Sequence, residues 1–145
     1  MYKCRLIYSD TVKKPEFLPY HKRKIKSLKL VVCESIEYNY KYKNRECLNE
    51  LLELKQNCDD ILLVKNKRIT DTSFSNVVFS DGKKWITPST PLLKGTKREK
   101  LLSDGKIVQD EIKVNDLKYF QKAALINSML DLEDNILKIK SVLTF

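Results

Sequence analysis

Three stretches carry side chains capable of covalent, acid–base or anion-binding chemistry. The first is Tyr40-Lys41-Tyr42-Lys43-Asn44-Arg45, where a lysine amine is available to add to a carbonyl and to carry a proton. In a chain with 28 Lys and Arg, a lysine taken alone reads first as a solvated charge, and Lys43 competes with Lys41 for any special role. The second is Thr70-Asp71-Thr72-Ser73-Phe74-Ser75-Asn76, whose acid by itself reads as a turn or strand-start residue capping its neighbours. The third is Gly95-Thr96-Lys97, at the head of a helical segment. Free backbone N–H groups and the helix dipole favour an anion there, and a Thr96 N-cap requires the same geometry.

Strand signals dominate the first third of the chain. Tyr2 to Ser9 and Ile25 to Cys33 alternate polar and apolar residues, with Pro15 and Pro19 in the stretch between them. Tyr38, Tyr40 and Tyr42, spaced by two, fall on one face of a strand leading into Lys41, with core packing as their first role and cofactor lining as the second. From Asn44 the run RECLNELLELKQN sets Cys47, Leu48, Leu51, Leu52 and Leu54 on one face, which predicts a helix with Asn44 as N-cap and Asn57 near its end. Short antiparallel strands follow: Asp60 to Val64, a Lys65-Asn66-Lys67 turn, Phe74 to Phe79, an Asp81-Gly82 turn, and Lys84 to Thr87 before Pro88. Thr96 to Ser103 is bounded by Gly95 and Gly105, a further helix begins near Asn115 or Asp116, and Ala123 to Phe145 mixes strand and loop signals. Without regular strand–helix alternation, the pattern predicts an α+β, mixed-sheet domain spanning residues 1–145.

The composition sets outer bounds. A formal charge of +9 favours anionic partners, but the basic residues are spread from Lys3 to Lys140 with no recognition motif or clustered arm, so nucleic acid is not an expected partner. Cys4, Cys33, Cys47 and Cys58 form no Cys-x-x-Cys pair and His21 is the sole histidine, which leaves no zinc site of common spacing. The cysteines read as reduced and mostly buried, Trp85 as a sheet residue over the core, and His21 as a surface residue. No apolar run reaches membrane-spanning length, so the expected setting is the cytoplasm.

Asp71 to Asn76, the apolar strand to Phe79, Thr87-Pro88, Leu92-Leu93 and Gly95-Thr96 form an ordered series that resembles the signature of the class IV aminotransferase family, which also contains aminodeoxychorismate lyase. Lys41, with Asn44 and Arg45 three and four places on, is similar to that family's lysine segment. The resemblance implies the mixed-sheet, barrel-like larger domain of the D-amino acid aminotransferase-like fold and pyridoxal 5'-phosphate as cofactor. It implies Lys41 as the Schiff-base lysine, with Lys43 as the shifted alternative, and Asp71 against the pyridine nitrogen where most relatives carry Glu. It further implies Asn76 and Arg45, in the same matched segments, as cofactor-binding residues. The backbone at Gly95, Thr96 and Lys97 would hold the phosphate, with Asn127 and Ser128 as further phosphate-side candidates.

The resemblance further implies a small-molecule amino substrate and a homodimer. The activity leans to elimination of pyruvate from aminodeoxychorismate to give the folate precursor 4-aminobenzoate. A branched-chain or D-amino acid aminotransferase, or a noncatalytic remnant, is the alternative. The chain's opening matches an interior point of the family, as though the small N-terminal domain were missing. A gene start placed too far downstream, a separately encoded N-terminal half and a decaying copy each account for that.

Overall fold

A computed structural model describes residues 1–143; Thr144 and Phe145 lie outside the described residues. Strands β1 (Tyr2–Arg5) and β2 (Glu16–Pro19) form an antiparallel ribbon separate from the main sheet. Both faces of the ribbon are open, and Tyr2, Tyr8 and Phe17 stay exposed.

The main sheet contains β3 (Leu28–Val32), β4 (Asp60–Lys65), β5 (Arg68–Thr72), β6 (Asn76–Ser80), β7 (Trp85–Pro88), β8 (Val108–Asp110), β9 (Lys122–Ile126), β10 (Ile136–Lys138) and β11 (Val142–Leu143). Its order is β10-β9-β6-β5-β4-β3-β11, with β7 and β8 branching from β6. The β11–β3, β3–β4 and β7–β8 pairs are parallel and the others antiparallel, so the sheet is mixed and the fold is α+β. Helix α1 (Glu46–Glu53) joins β3 to β4, and helix α2 (Thr96–Ser103) joins β7 to β8.

Side-chain alternation explains the layers. Leu28, Leu30, Leu62, Val64, Val77, Phe79, Ala123 and Leu125 point into one central core. Their neighbours face outward: Val31, Ile61 and Leu63 meet Leu48 of α1, whereas Val78, Ala124 and Ile126 meet Leu101 of α2. Strands covered on both faces read as unbroken apolar runs, which is why Asp60-Ile-Leu-Leu-Val is buried throughout.

Several local expectations are corrected. The helix from Asn44 to Asn57 is shorter at both ends: Arg45 is the N-cap, and after Glu53 the chain tightens into turns through Gln56 at φ 54°. Asn44 nevertheless accepts the Glu46 N–H at 2.9 Å. The helix expected near Asn115 is a 3-10 helix, Val114–Tyr119, started by the Asp116 carboxylate, which accepts the Lys113 N–H at 2.8 Å, and by the Asp116 N–H, which donates to the Lys113 carbonyl at 3.0 Å. The strand expected at Tyr38–Tyr42 is a loop. Among the described residues no strand pairs with it, and its rings meet edge to face instead, Tyr38 against Tyr42 at 5.9 Å and Tyr40 against Tyr42 at 6.1 Å between centroids. The cysteines are free but not mostly buried: Cys58 alone is buried, because the others lie on the ribbon, the end of β3 and the outer side of α1. Trp85 packs on the Val78–Leu101 cluster, and His21 is at the surface.

Leu62 is fully buried at the centre of this arrangement. Leu62→Ala is expected to cost about 2–5 kcal/mol, read as a lowered urea midpoint with an unchanged slope.

Candidate active site

The site is assembled around the turn between β5 and β6. Asn66 and Lys67, at φ 51° and 62°, form the two-residue turn that folds β5 back along β4. The next turn is built by a hydroxyl: Thr72 Oγ1 accepts the Ser75 N–H at 3.1 Å and pairs with Ser75 Oγ at 2.7 Å. β5 and β6 then meet at one register pair, Asp71 opposite Asn76.

Those two side chains also bond to each other. Asn76 Nδ2 donates to Asp71 Oδ1 at 2.8 Å and to the Leu93 carbonyl at 2.7 Å, using both amide hydrogens. The Leu93 N–H donates to Asp71 Oδ2 at 3.0 Å. Asp71 is 5% exposed, and its pKa is pushed up to about 6: burial raises it, against the opposing pull of Asn76, the Leu93 and Leu92 N–H groups, and the Arg98 charge. Gly95 completes the packing, since a Cβ at that position would sit 2.2 Å from Asn76 Oδ1.

Other parts of the chain grip the same turn. Arg45 Nη2 donates to the Ser73 carbonyl, and Asn127 Nδ2 to the Phe74 carbonyl at 3.4 Å. Arg45, Asp71, Asn76, Gly95 and Asn127 are thus brought together. Gly95, not Thr96, is the N-cap of α2, and Thr96 is its first residue. Among the described residues the backbone N–H groups of Thr96 and Lys97 find no protein acceptor, as expected for the first turn of a helix. The Lys97 ammonium is paired with Asp131 at 2.5 Å.

Two expected site residues stand apart. Ser128 is exposed at the tip of the Asn127–Leu130 turn. Lys41 sits on the surface loop, where partial desolvation, Lys3 and Arg45 lower its pKa and favour the neutral amine. Two cavities among the described residues have neither Lys41 nor Asp71 in their lining. One of about 400 Å³ is lined by Tyr38, Tyr42, Lys43, Arg45 and Cys47, and one of about 230 Å³ by Tyr38, Lys65, Arg68, Thr70 and Leu92.

Two buried charges went unread in the sequence. Asp60, at the head of β4, is fully buried with its pKa raised by burial, and its Oδ2 has no protein partner among the described residues. Arg98 is 2% exposed on the inner face of α2, three residues before buried Leu101. That i, i+3 spacing from an apolar anchor was the available signal.

A mixed α+β sheet with a buried acid–amide pair at the turn joining its two parts defines the class of protein. The amino-transferase class IV profile matches residues 5–140, and the chain belongs to that family. An uncharacterised Haemophilus influenzae protein is 39% identical over 127 residues, covering 88% of this chain and 68% of its own length. The crystal structure of a candidate 4-amino-4-deoxychorismate lyase from Haemophilus somnus is 37% identical with a TM-score of 0.84, over 88% of this chain and 66% of that one. A pyridoxal-phosphate-bound hypothetical aminotransferase from Mycobacterium tuberculosis shares the fold at 18% identity and a TM-score of 0.63, over 83% and 48% of the two chains. The chain therefore spans about two thirds of the length of the first two.

Two outcomes test the site. Gly95→Ala displaces Asn76 and is expected to destabilise the fold by about 1–3 kcal/mol, seen as a lower melting temperature, although φ −68° imposes no backbone strain. The second concerns Asp71. As pH rises from about 4 to about 6, the unfolded carboxyl ionises before the folded one, so the native state loses stability on the order of 3 kcal/mol, fully above pH about 6 and absent below about 4. Asp71→Asn should flatten that part of the stability–pH curve; an unaltered curve would show that Asp71 is not the group responsible.

Proposed function

We propose that residues 1–145 are the cofactor-binding part of a pyridoxal 5'-phosphate enzyme of the aminodeoxychorismate lyase type. The observation that carries this reading is the seating of Asp71. A carboxylate offers about four acceptor positions; Asn76 donates to one oxygen and the Leu93 N–H to the other, which leaves acceptor capacity that suits a ring N–H⁺. A pyridinium placed there would keep Asp71 ionised.

When bound, pyridoxal phosphate supplies an electron sink for charge developing on the substrate. The chain's own residues do the rest. Lys41, with its lowered pKa, is the amine that holds the cofactor's carbonyl carbon and moves the substrate proton. The free N–H groups of Thr96 and Lys97 receive the phosphate, with Asn127 and Ser128 beside it. Arg45 fixes the turn that presents Asp71.

The likeness to the Haemophilus somnus protein supports a lyase that releases pyruvate to give 4-aminobenzoate, in folate precursor synthesis, over a class IV aminotransferase. A homodimer and a cytoplasmic setting belong to the same proposal. The loop position of Lys41, outside both cavities, favours the rival reading of a chain that does not turn over by itself.

The purified chain with added pyridoxal phosphate should develop a visible absorption band that borohydride fixes on the Lys41 peptide, and Lys41→Ala should lose it. A band that persists in Lys41→Ala and maps to Lys43 would reassign the lysine. No band at all would leave the noncatalytic reading.

A further inference from the structure

Arg98 is the largest fully buried side chain among the described residues, and the seating of Asp71 leaves its role open. Its Nη2 donates to the Pro88 carbonyl at the end of β7, at 2.9 Å, and to Gln109 Oε1 on β8, at 3.1 Å. Nη1 donates to the half-exposed Glu99 carboxylate at 2.5 Å, while Nε is buried with no partner among the described residues. A guanidinium held in this way costs desolvation that a surface pair with Glu99 does not offset. It sits one helical turn beyond Gly95, the residue that rests against Asn76.

We propose that Arg98 is a positioning residue for Asp71: it pins the start of α2 to the ends of β7 and β8, which keeps Gly95 against Asn76, and it stands as the buried counter-charge of the Asp71 carboxylate. This rests on Asp71 being the site's carboxylate. Of the groups acting on Asp71, Asn76 from β6 and the Leu92 and Leu93 N–H groups from the loop are neutral, and Arg98 from α2 is the charged one. Glu99 is the titratable group facing Arg98 itself.

The test uses the full chain without cofactor, so a failure of the cofactor reading, seen as no visible band, leaves its outcome separate. In labelled protein titrated from about pH 4 to about pH 8, the Asp71 carboxyl carbon and the Arg98 Nε–H resonance should move with one midpoint, in the native chain and in Glu99→Gln alike. An Arg98 resonance that stays still, or whose movement vanishes in Glu99→Gln, overturns the proposal. Arg98→Met should raise the Asp71 midpoint above the native one, whereas Arg98→Lys should hold it near the native value. A folded Arg98→Met with an unmoved Asp71 midpoint also overturns it, and if that variant does not fold, the titration of the native chain decides.

Discussion

The Asp71–Asn76 register pair is the joint at which the two parts of the sheet meet edge to edge. β11, β3, β4 and β5 form one run and β6 to β10 the other; β5 pairs with β6 where Asp71 faces Asn76, and bridges the segment after β8 where Arg68 faces Lys113 and the Ile69 N–H donates to the Ile112 carbonyl at 2.8 Å. A short pairing is a weak joint, and here it is reinforced by the Asp71–Asn76 side-chain bond and by the Leu93 backbone, which bonds to both residues. The central core depends on this joint, because Leu62 and Val64 from one run and Val77 and Phe79 from the other reach it only when the runs stay closed.

That joint is also the candidate site, and the coincidence has an energetic side. A buried carboxylate with a raised pKa weakens the native state at neutral pH, and the fold offsets part of that cost with the Asn76 amide and the Leu93 N–H bonded to it and the Arg98 charge acting on it. The same features that make the carboxylate expensive make it receptive to a cationic ring nitrogen. The loop before α1 is arranged differently. It presents Lys41 and Lys43 on a surface with little packing, tied to the joint through Arg45 on Ser73.

Much of the architecture was legible in the residues. The apolar run from Asp60 to Val64, the Asn66-Lys67 turn and the helical face of Leu48 and Leu51 encode their own conformations, and all three form where expected. β5 was overlooked because Arg-Ile-Thr-Asp-Thr has one apolar residue, and it is a strand only by lying between β4 and β6. The tyrosine run failed in the opposite sense: its period of two fits a strand, but no neighbour pairs with it.

The sequence by itself determined the kinds of element, the order of the matched motif from Lys41 to Thr96, and the types of group available to a site, because periodicity, turn chemistry and motif spacing are local properties. Tertiary structure alone decided that Asp71 is buried with Asn76 and Leu93, that Gly95 has no room for a side chain, and that Arg98 points inward with Pro88 and Gln109 as acceptors. These follow from which distant segments come into contact. Whether a charge is buried, and what satisfies it there, is a property of those contacts and not of the residue or its neighbours in sequence.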